Sequence, residues 1–317
     1  GIFIAKLDNQ GKWIWSTSAS GPGQDYLHGA ALDSSGNIFV TGAYFHSLTY
    51  GTKKITTTQK HDIFVAKLNS SGSWLWVKNG GSTASDYAYA ITLDKQNNIY
   101  ITGRISDTAK FGNHTVTVQG GADIFVAKLD KAGSWLWAKS AGGSGEDRGS
   151  SIVVTSKGEV IIAGDFEQTA MFDTLKRTAR GKINMFVAKM DNKGKFTWTE
   201  QLGNTLSAHA SYITIDTSEN SYLTGRFQGD LIANSKTLKN RGQWDTLVVK
   251  FNPSGKLLWA KNAGGKYDDN AKGIAQDSKH LYVIGTFNGN NSQFGSTTLC
   301  SQGNQSDIFV WKLPNTP

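Results

Sequence analysis

The sequence predicts an all-β protein, a propeller of four-stranded blades, and three observations carry the prediction: a self-similar unit of about 61 residues, four short β-forming runs in each unit, and glycine-rich turns between the runs. Composition agrees. The 317 residues include 36 Gly but only 4 Pro, with 10 Trp, 10 Tyr and 15 Phe. Glycine turns between aromatic and β-branched runs suit strands, and scarce proline suits paired central strands, since proline cannot donate to a ladder.

The first recurring run is Ile2 to Leu7, which returns at Ile63 to Leu68, Ile124 to Leu129, Met185 to Met190, Thr246 to Phe251 and Ile308 to Leu313. Its lysines are Lys6, Lys67, Lys128, Lys189, Lys250 and Lys312, a step of 61 residues four times and then 62. A second run reads Gly-x-Trp-x-Trp, as at Gly72 to Trp76 and Gly133 to Trp137, with Phe196 and Leu257 replacing the first Trp in two copies. The third is a short strand such as Ile91 to Asp94, and the fourth the Asn98 to Gly103 type. Alternation places Phe64, Ala66 and Leu68 on one face of the Lys strand and Ile63, Val65 and Lys67 on the other.

A lone blade cannot bury its two faces, whereas stacked blades in a ring can. The order of runs makes the Trp strand outermost and the Ala30-to-Asp33 type innermost. The last unit lacks a Trp strand, which Trp13 to Ser16 can supply. The expected architecture is therefore one propeller over 1–317. Its units are 17–77, 78–138, 139–199, 200–260 and 261–313, closed by 1–16. Five blades leave Ile2 to Leu7 as a surplus strand, so six or more stay open.

The strings Asp62 to Leu68, Gly133 to Lys139 and Asp33 to Gly42 resemble the bacterial β-propeller repeat family known as SBBP. The resemblance covers nearly the whole chain. It implies extracellular or cell-surface proteins, common in Bacteroidetes, often within large adhesin-like chains exported by the type IX pathway. It supplies no catalytic motif, and the family is named for seven blades where this chain offers five.

Other classes are disfavoured. The single Cys300 excludes an internal disulfide framework. No apolar run approaches the ~20 residues needed to span a bilayer. The chain opens inside a unit, at Gly1-Ile2-Phe3, so it is expected to be a mature product or part of a longer multi-domain protein. The six His fall in no zinc spacing, and there is neither a Gly-x-Ser-x-Gly elbow nor a P-loop. No cofactor, metal site or enzyme activity is expected, and no specific nucleic-acid partner. Loops such as Asp33 to Asn37 and Asp130 to Gly133 lack the alternate acids of a calcium loop and read as hairpin turns.

Candidate binding residues remain. A glycine-rich loop before each innermost strand carries Asp25, Asp86, Asp147 or Asp269, with Ala208 in the fourth copy, and Tyr87 follows Asp86. These acids either bind a cation or sugar hydroxyls at a channel mouth or fix the loop by accepting turn amides. Trp244 and Trp311 lie outside the Trp-strand pattern, Trp311 as a candidate filler of the closure seam. The recurring Lys reads as packing over an aromatic ring, with Trp74 and Trp76 as partners of Lys67. Two long loops are basic, one with Lys176, Arg177, Arg180 and Lys182, the next with Lys236, Lys239 and Arg241. With a net charge of +8, these suit an anionic polymer. The function expected is a secreted or cell-surface adhesion module for glycan or protein. The alternatives are an architectural spacer and a channel-site polysaccharide lyase or hydrolase.

Overall fold

The computed structural model describes residues 1–233, 236–302 and 305–316, and its regular elements are strands throughout. The long loops at 226–244 and 286–306 are therefore described only outside 234–235 and 303–304. The chain divides into two compact units, Gly1–Gly142 and Gly143–Pro317, with the division a few residues from an expected repeat boundary.

The first unit opens with a hairpin of Ile2–Leu7 and Trp13–Ser20. A sheet follows in which Tyr26–Leu32, Ile38–Tyr50, Lys53–Leu68 and Trp74–Gly80 pair in that order, all antiparallel. The next sheet repeats the order with Tyr87–Leu93, Ile99–Ile105, Asp123–Leu129 and Trp135–Gly143. The long connection before Asp123 carries an outer hairpin, Ala109–Phe111 with His114–Val116. It docks on the preceding Trp strand through paired backbone bonds between Gly81 and Lys110. Both partners of the strand Trp13–Ser20 lie in this unit. They are Ile2–Leu7 and, through Ala19 and Ser20, the long strand Ile38–Tyr50.

The second unit has two more such sheets. One is Arg148–Val154, Val160–Phe166, Asn184–Met190 and Phe196–Leu202. The other is Ala208–Ile215, Ser221–Phe227, Asp245–Phe251 and Leu257–Ala263. The last sheet has three strands among the described residues: Asn270–Gln276, His280–Phe287 and Asp307–Pro314. Its third strand runs straight on, Asn315 N donating to Lys279 O, where earlier copies turn back. The open edges show in exposure. Phe3 is 74% exposed and Ile308 83%, whereas Phe64 and Ile124 are at 0%.

The core lies between sheets, with alternate residues of each strand serving opposite neighbours. Ile63 and Val65 pack with Ile99 and Ile101 of the following sheet. Phe64, Ala66 and Leu68 pack back on Ile2 and Ala19. In the second unit Met185 and Val187 meet Leu223 and Val249 in the same manner. Within each unit the first strands of neighbouring sheets lie side by side.

The motifs have local causes. Asp130 Oδ1 accepts the amides of Ala132 at 2.9 Å and Ser134 at 2.8 Å, and Gly133 takes φ +85°. The Asp130 loop is thus a hairpin turn, as is the Asp33 loop, where Asp33 Oδ1 holds Ser35 and Asn37. The glycine of Gly-x-Trp-x-Trp lies under the second Trp of the preceding sheet: a Cβ on Gly133 would stand 3.2 Å from the Trp76 ring. Trp74 Nε1 donates to Thr17 Oγ1 and Trp198 Nε1 to Pro253 O, so these tryptophans join sheet to sheet. The recurring lysine needs a correction. Lys67 stands over Phe39 at 4.9 Å and Lys128 over Tyr100 at 4.8 Å, on the strand before the lysine and not on the Trp strand after it. Trp311 is buried edge-on against Phe294, within the last sheet's own core.

Candidate functional site

The first strand of each sheet begins at or one residue before the same frame position, and the residues there differ: Tyr26, Tyr87, Arg148, His209 and Asn270. Opposite them on the second strand stand Ala43, Arg104, Asp165, Arg226 and Thr286. These rim positions share a local backbone arrangement in each unit, since the amides of Asp86 and Asp269 donate to the carbonyls of His61 and Trp244, both at 2.8 Å.

In the first unit the rim is aromatic. Tyr26 stacks on His28 at 5.8 Å, and Tyr87 lies parallel to Tyr89 at 6.1 Å. His61 joins them, 5.2 Å from Tyr87 and 5.6 Å from Tyr26 between ring centres, with its Nδ1 3.2 Å from the Tyr87 hydroxyl. Arg104 lies over the Tyr87 ring at 5.2 Å. Burial lowers the His28 pKa, so the ring is held toward its neutral form. Tyr26 is 37% exposed. The group can offer ring faces and a few polar tips, which suits a flat apolar face with hydroxyls.

In the second unit the same positions are polar. The buried Asp165 Oδ2 accepts from Arg148 Nε at 3.0 Å and Nη2 at 2.7 Å, and lies 2.9 Å from His209 Nδ1. Its Oδ1 accepts the Ala210 amide at 2.7 Å. Arg226 stacks on Trp244 at 4.4 Å and donates to Asn270 Oδ1 at 2.7 Å, and Trp244 meets His209 at 5.3 Å.

Of the residues the sequence singled out, Tyr87 and Trp244 stand on these rims, one in each unit. The four loop acids are buried just behind. Asp25 accepts from Gly21 N and Phe45 N, Asp86 from Ser82 N and Ser106 N, Asp147 from Gly143 N and Glu167 N, and Asp269 from Gly265 N. They fix the loops from inside. Burial raises Asp86, and pushes Asp269 up to about 6. In the fourth copy, where Ala208 stands, the Asn204 side chain holds Leu206 N and Gln228 O instead.

The basic loops lie on the outer side. Lys176 and Arg177 sit on the hairpin strand Leu175–Thr178, and an Arg177 Nη donates to Thr199 O. Arg180 and Arg241 are exposed in loops whose amides reach Asn184 and Asp245. The segment 196–203 meets both basic hairpins, one through Thr199 and the other through the Gly203–Ile232 bridge just past the strand. Sequence reasoning missed Tyr26, Tyr89, His61, Arg148, Asp165, His209 and Arg226. The signal was available in the columns that vary when the repeats are laid over one another. Among the described residues, no group of three or more His, Cys, Asp or Glu is placed to hold a metal ion, and no helix is long and apolar enough to cross a membrane.

A family model described as a beta-propeller repeat matches residues 80–107, which supports that family. Over 98% of its length the chain is 23% identical to an uncharacterized WD repeat-containing protein of Acanthamoeba polyphaga mimivirus, covering 28% of that protein. Over 54% of its length it is 27% identical to the regulatory protein FlaEY of Caulobacter vibrioides, covering 19% of it. The chain thus spans less than a third of these relatives.

Proposed function

We propose that this chain is a non-catalytic recognition propeller, secreted or carried on a bacterial cell surface, that holds a glycan or a protein through its rim. The observation behind this is the contrast between columns. The Lys, Gly and second Trp of the frame recur, while the rim reads Tyr26, Tyr87, Arg148, His209 and Asn270. A surface whose chemistry changes on a constant frame suits selective contact. A WD repeat-containing relative fits a module for protein interaction. The repeat count supports a propeller of five blades, and for the N-terminal Trp strand to complete the last of them its pairing with Ile2–Leu7 would have to open.

The test compares the wild-type chain with Tyr26→Ala, Tyr89→Ala and Trp244→Ala on a glycan array and in pull-downs from host-cell and bacterial surface extracts. A partner bound by the wild type and weakened about tenfold or more by a rim substitution supports the reading. The Arg177→Ala/Arg180→Ala pair tests the outer basic loops against acidic polysaccharides. A second reading, an architectural spacer, is favoured by the chain's coverage of only 28% and 19% of its relatives. Silence across both screens supports the spacer, and depolymerisation of any polysaccharide overturns the non-catalytic assignment.

A further inference from the structure

A cavity of about 470 Å³ lies on the outer side of the first unit, lined by Asp62, Lys78, Asn79, Gly81, Lys110 and Trp135 among others. That volume is in the range of small-molecule sites, about 300–1,000 Å³. Its walls come from three elements. Lys78 is on the Trp strand Trp74–Gly80, Lys110 on the outer hairpin, and Trp135 begins the next Trp strand. The indole is fixed in place. Phe111 meets it edge-on at 5.0 Å, and a His114 ring nitrogen lies 3.3 Å from Trp135 O. Asp62 is buried, and its Oδ1 has no hydrogen-bond partner.

No other copy combines these side chains, although Asp62 recurs as Asp123 and Asp245 and Lys78 as Lys139 and Lys261. One step earlier the positions of Lys78, Lys110 and Trp135 hold Thr17, Thr49 and Trp74, and two steps later Glu200, Ile232 and Leu257. Lys78, Lys110 and Trp135 line one cavity in this copy, whereas the unpartnered carboxyl oxygen of Asp62 recurs at Asp123 and Asp245 and belongs to the frame.

We propose that this cavity binds an acidic sugar, a hexuronate residue of a polysaccharide, with the pyranose on Trp135 and its carboxylate between Lys78 and Lys110. An indole suits the C–H face of a pyranose. The neighbouring Asp62 carboxyl disfavours a doubly charged phosphate more than a singly charged carboxylate. A net charge of +8 draws polyanions to the chain. The inference deepens the recognition reading by naming a ligand class, but it uses none of the rim residues.

The experiment is a titration of the intact chain, by calorimetry and by the Trp indole N–H signals in NMR, with trigalacturonate, cellotriose and oligothymidylate. The expected result is saturable binding of trigalacturonate, about tenfold stronger than of cellotriose and weakened by salt. Lys110→Ala, at an exposed side chain, loses about tenfold, and Trp135→Phe, which keeps an aromatic ring in the packing, weakens binding as well. Equal binding of cellotriose, tighter binding of oligothymidylate, an unaffected Lys110→Ala, or no binding of trigalacturonate each overturns the proposal. Rim variants that lose another partner while trigalacturonate fails to bind would sink this inference and leave the recognition reading standing.

Discussion

Asp62 and Asp86 direct their carboxyl groups at one glycine: a Cβ on Gly81 would lie 2.8 Å from Asp62 Oδ1 and 2.9 Å from Asp86 Oδ2. Asp245 and Asp269 repeat the arrangement at Gly264, at 2.5 and 2.9 Å. Both pairs are buried, and Oδ1 of Asp62, Asp245 and Asp269 has no partner. In the fourth repeat the two acids are absent together, replaced by Asn184 and Ala208. The pairing is not obligatory, since in the first copy Asp25 stands with Gly1 at the position of Asp62, but where both acids are present each buried carboxylate makes the other costlier to ionise.

The pairs make stability depend on pH. Burial pushes Asp62 up to about 6 and Asp245 up to about 7, and the neighbouring Asp86 or Asp269 adds to each shift. Burial raises Asp269 and Asp123 to about 6 as well. An unfolded Asp titrates near 3.9, so the folded chain holds these protons more tightly. Their contribution is full below about pH 4 and is lost as pH rises through about 6 to 7. Asp33, Asp216 and Asp277, lowered mainly by hydrogen bonds, act at still lower pH, and His28 works in the opposite direction. The urea midpoint should fall between about pH 5 and about pH 8. A midpoint that holds steady or rises contradicts this.

Asp245→Asn should remove part of that slope. Asn184 shows that the position accepts the amide: its Oδ1 takes the Arg180 amide at 2.8 Å, and its Nδ2 donates to Ile183 O at 2.8 Å. Near pH 8 the variant should be more stable than the wild type by about 1 kcal/mol or more. Near pH 5 the two should converge. Paired denaturation curves decide it.

The sequence discloses what recurs and hides what varies. Lys128, Gly133 and Trp137 were readable because each returns at a fixed step, and the strand order follows from them. The ring under Lys128 was misplaced for a physical reason. Lys128 stands opposite both Tyr100 and Trp137, one on each flanking strand, and alternation alone cannot choose between them. Asp86 was readable as a loop acid, but its burial depends on how the next sheet packs. Tyr26, Arg148 and Asp165 carry no repeat signature, and only the fold brings Tyr26 beside His61 in the first unit and Arg148 beside Asp165 in the second.

Lys128 is expected to stabilise through its ring contact. Its ammonium lies 4.8 Å from the Tyr100 ring centre and 3.9 Å from Asp94 Oδ2, while Tyr100 donates to the same oxygen. Lys128→Met keeps the stem and removes the charge, and should cost about 1 kcal/mol. A double-mutant cycle with Tyr100→Leu should show coupling of about 0.5–1 kcal/mol. Additive effects would mean the stem alone matters.

Gly133→Ala tests the turn beneath Trp76. The substitution must carry a Cβ at φ +85°, 3.2 Å from the Trp76 ring and 3.0 Å from Lys78 Cε. It should cost about 1–2 kcal/mol. Gly11→Ala, at φ +82° with nothing within 4 Å of its Cβ, carries the backbone strain without the contact. The difference between the two variants in thermal denaturation isolates the stacking term.

Asp165 organises the polar rim of the second unit, so its loss should act on binding and stability together. Its oxygens accept from Arg148 and from the Ala210 amide and lie beside His209 Nδ1. Asp165→Asn keeps the size but turns one acceptor into a donor facing these donors. A buried amide left without its acceptor costs about 1–3 kcal/mol, so a clear fall in the denaturation midpoint is expected. The Arg148 Nε–H should exchange faster with solvent in NMR, because the bond that shelters it is gone. Asp165→Glu, which keeps the charge and lengthens the reach, should restore the slow exchange at least partly. If neither variant changes that exchange, Asp165 is not what holds Arg148 at the rim.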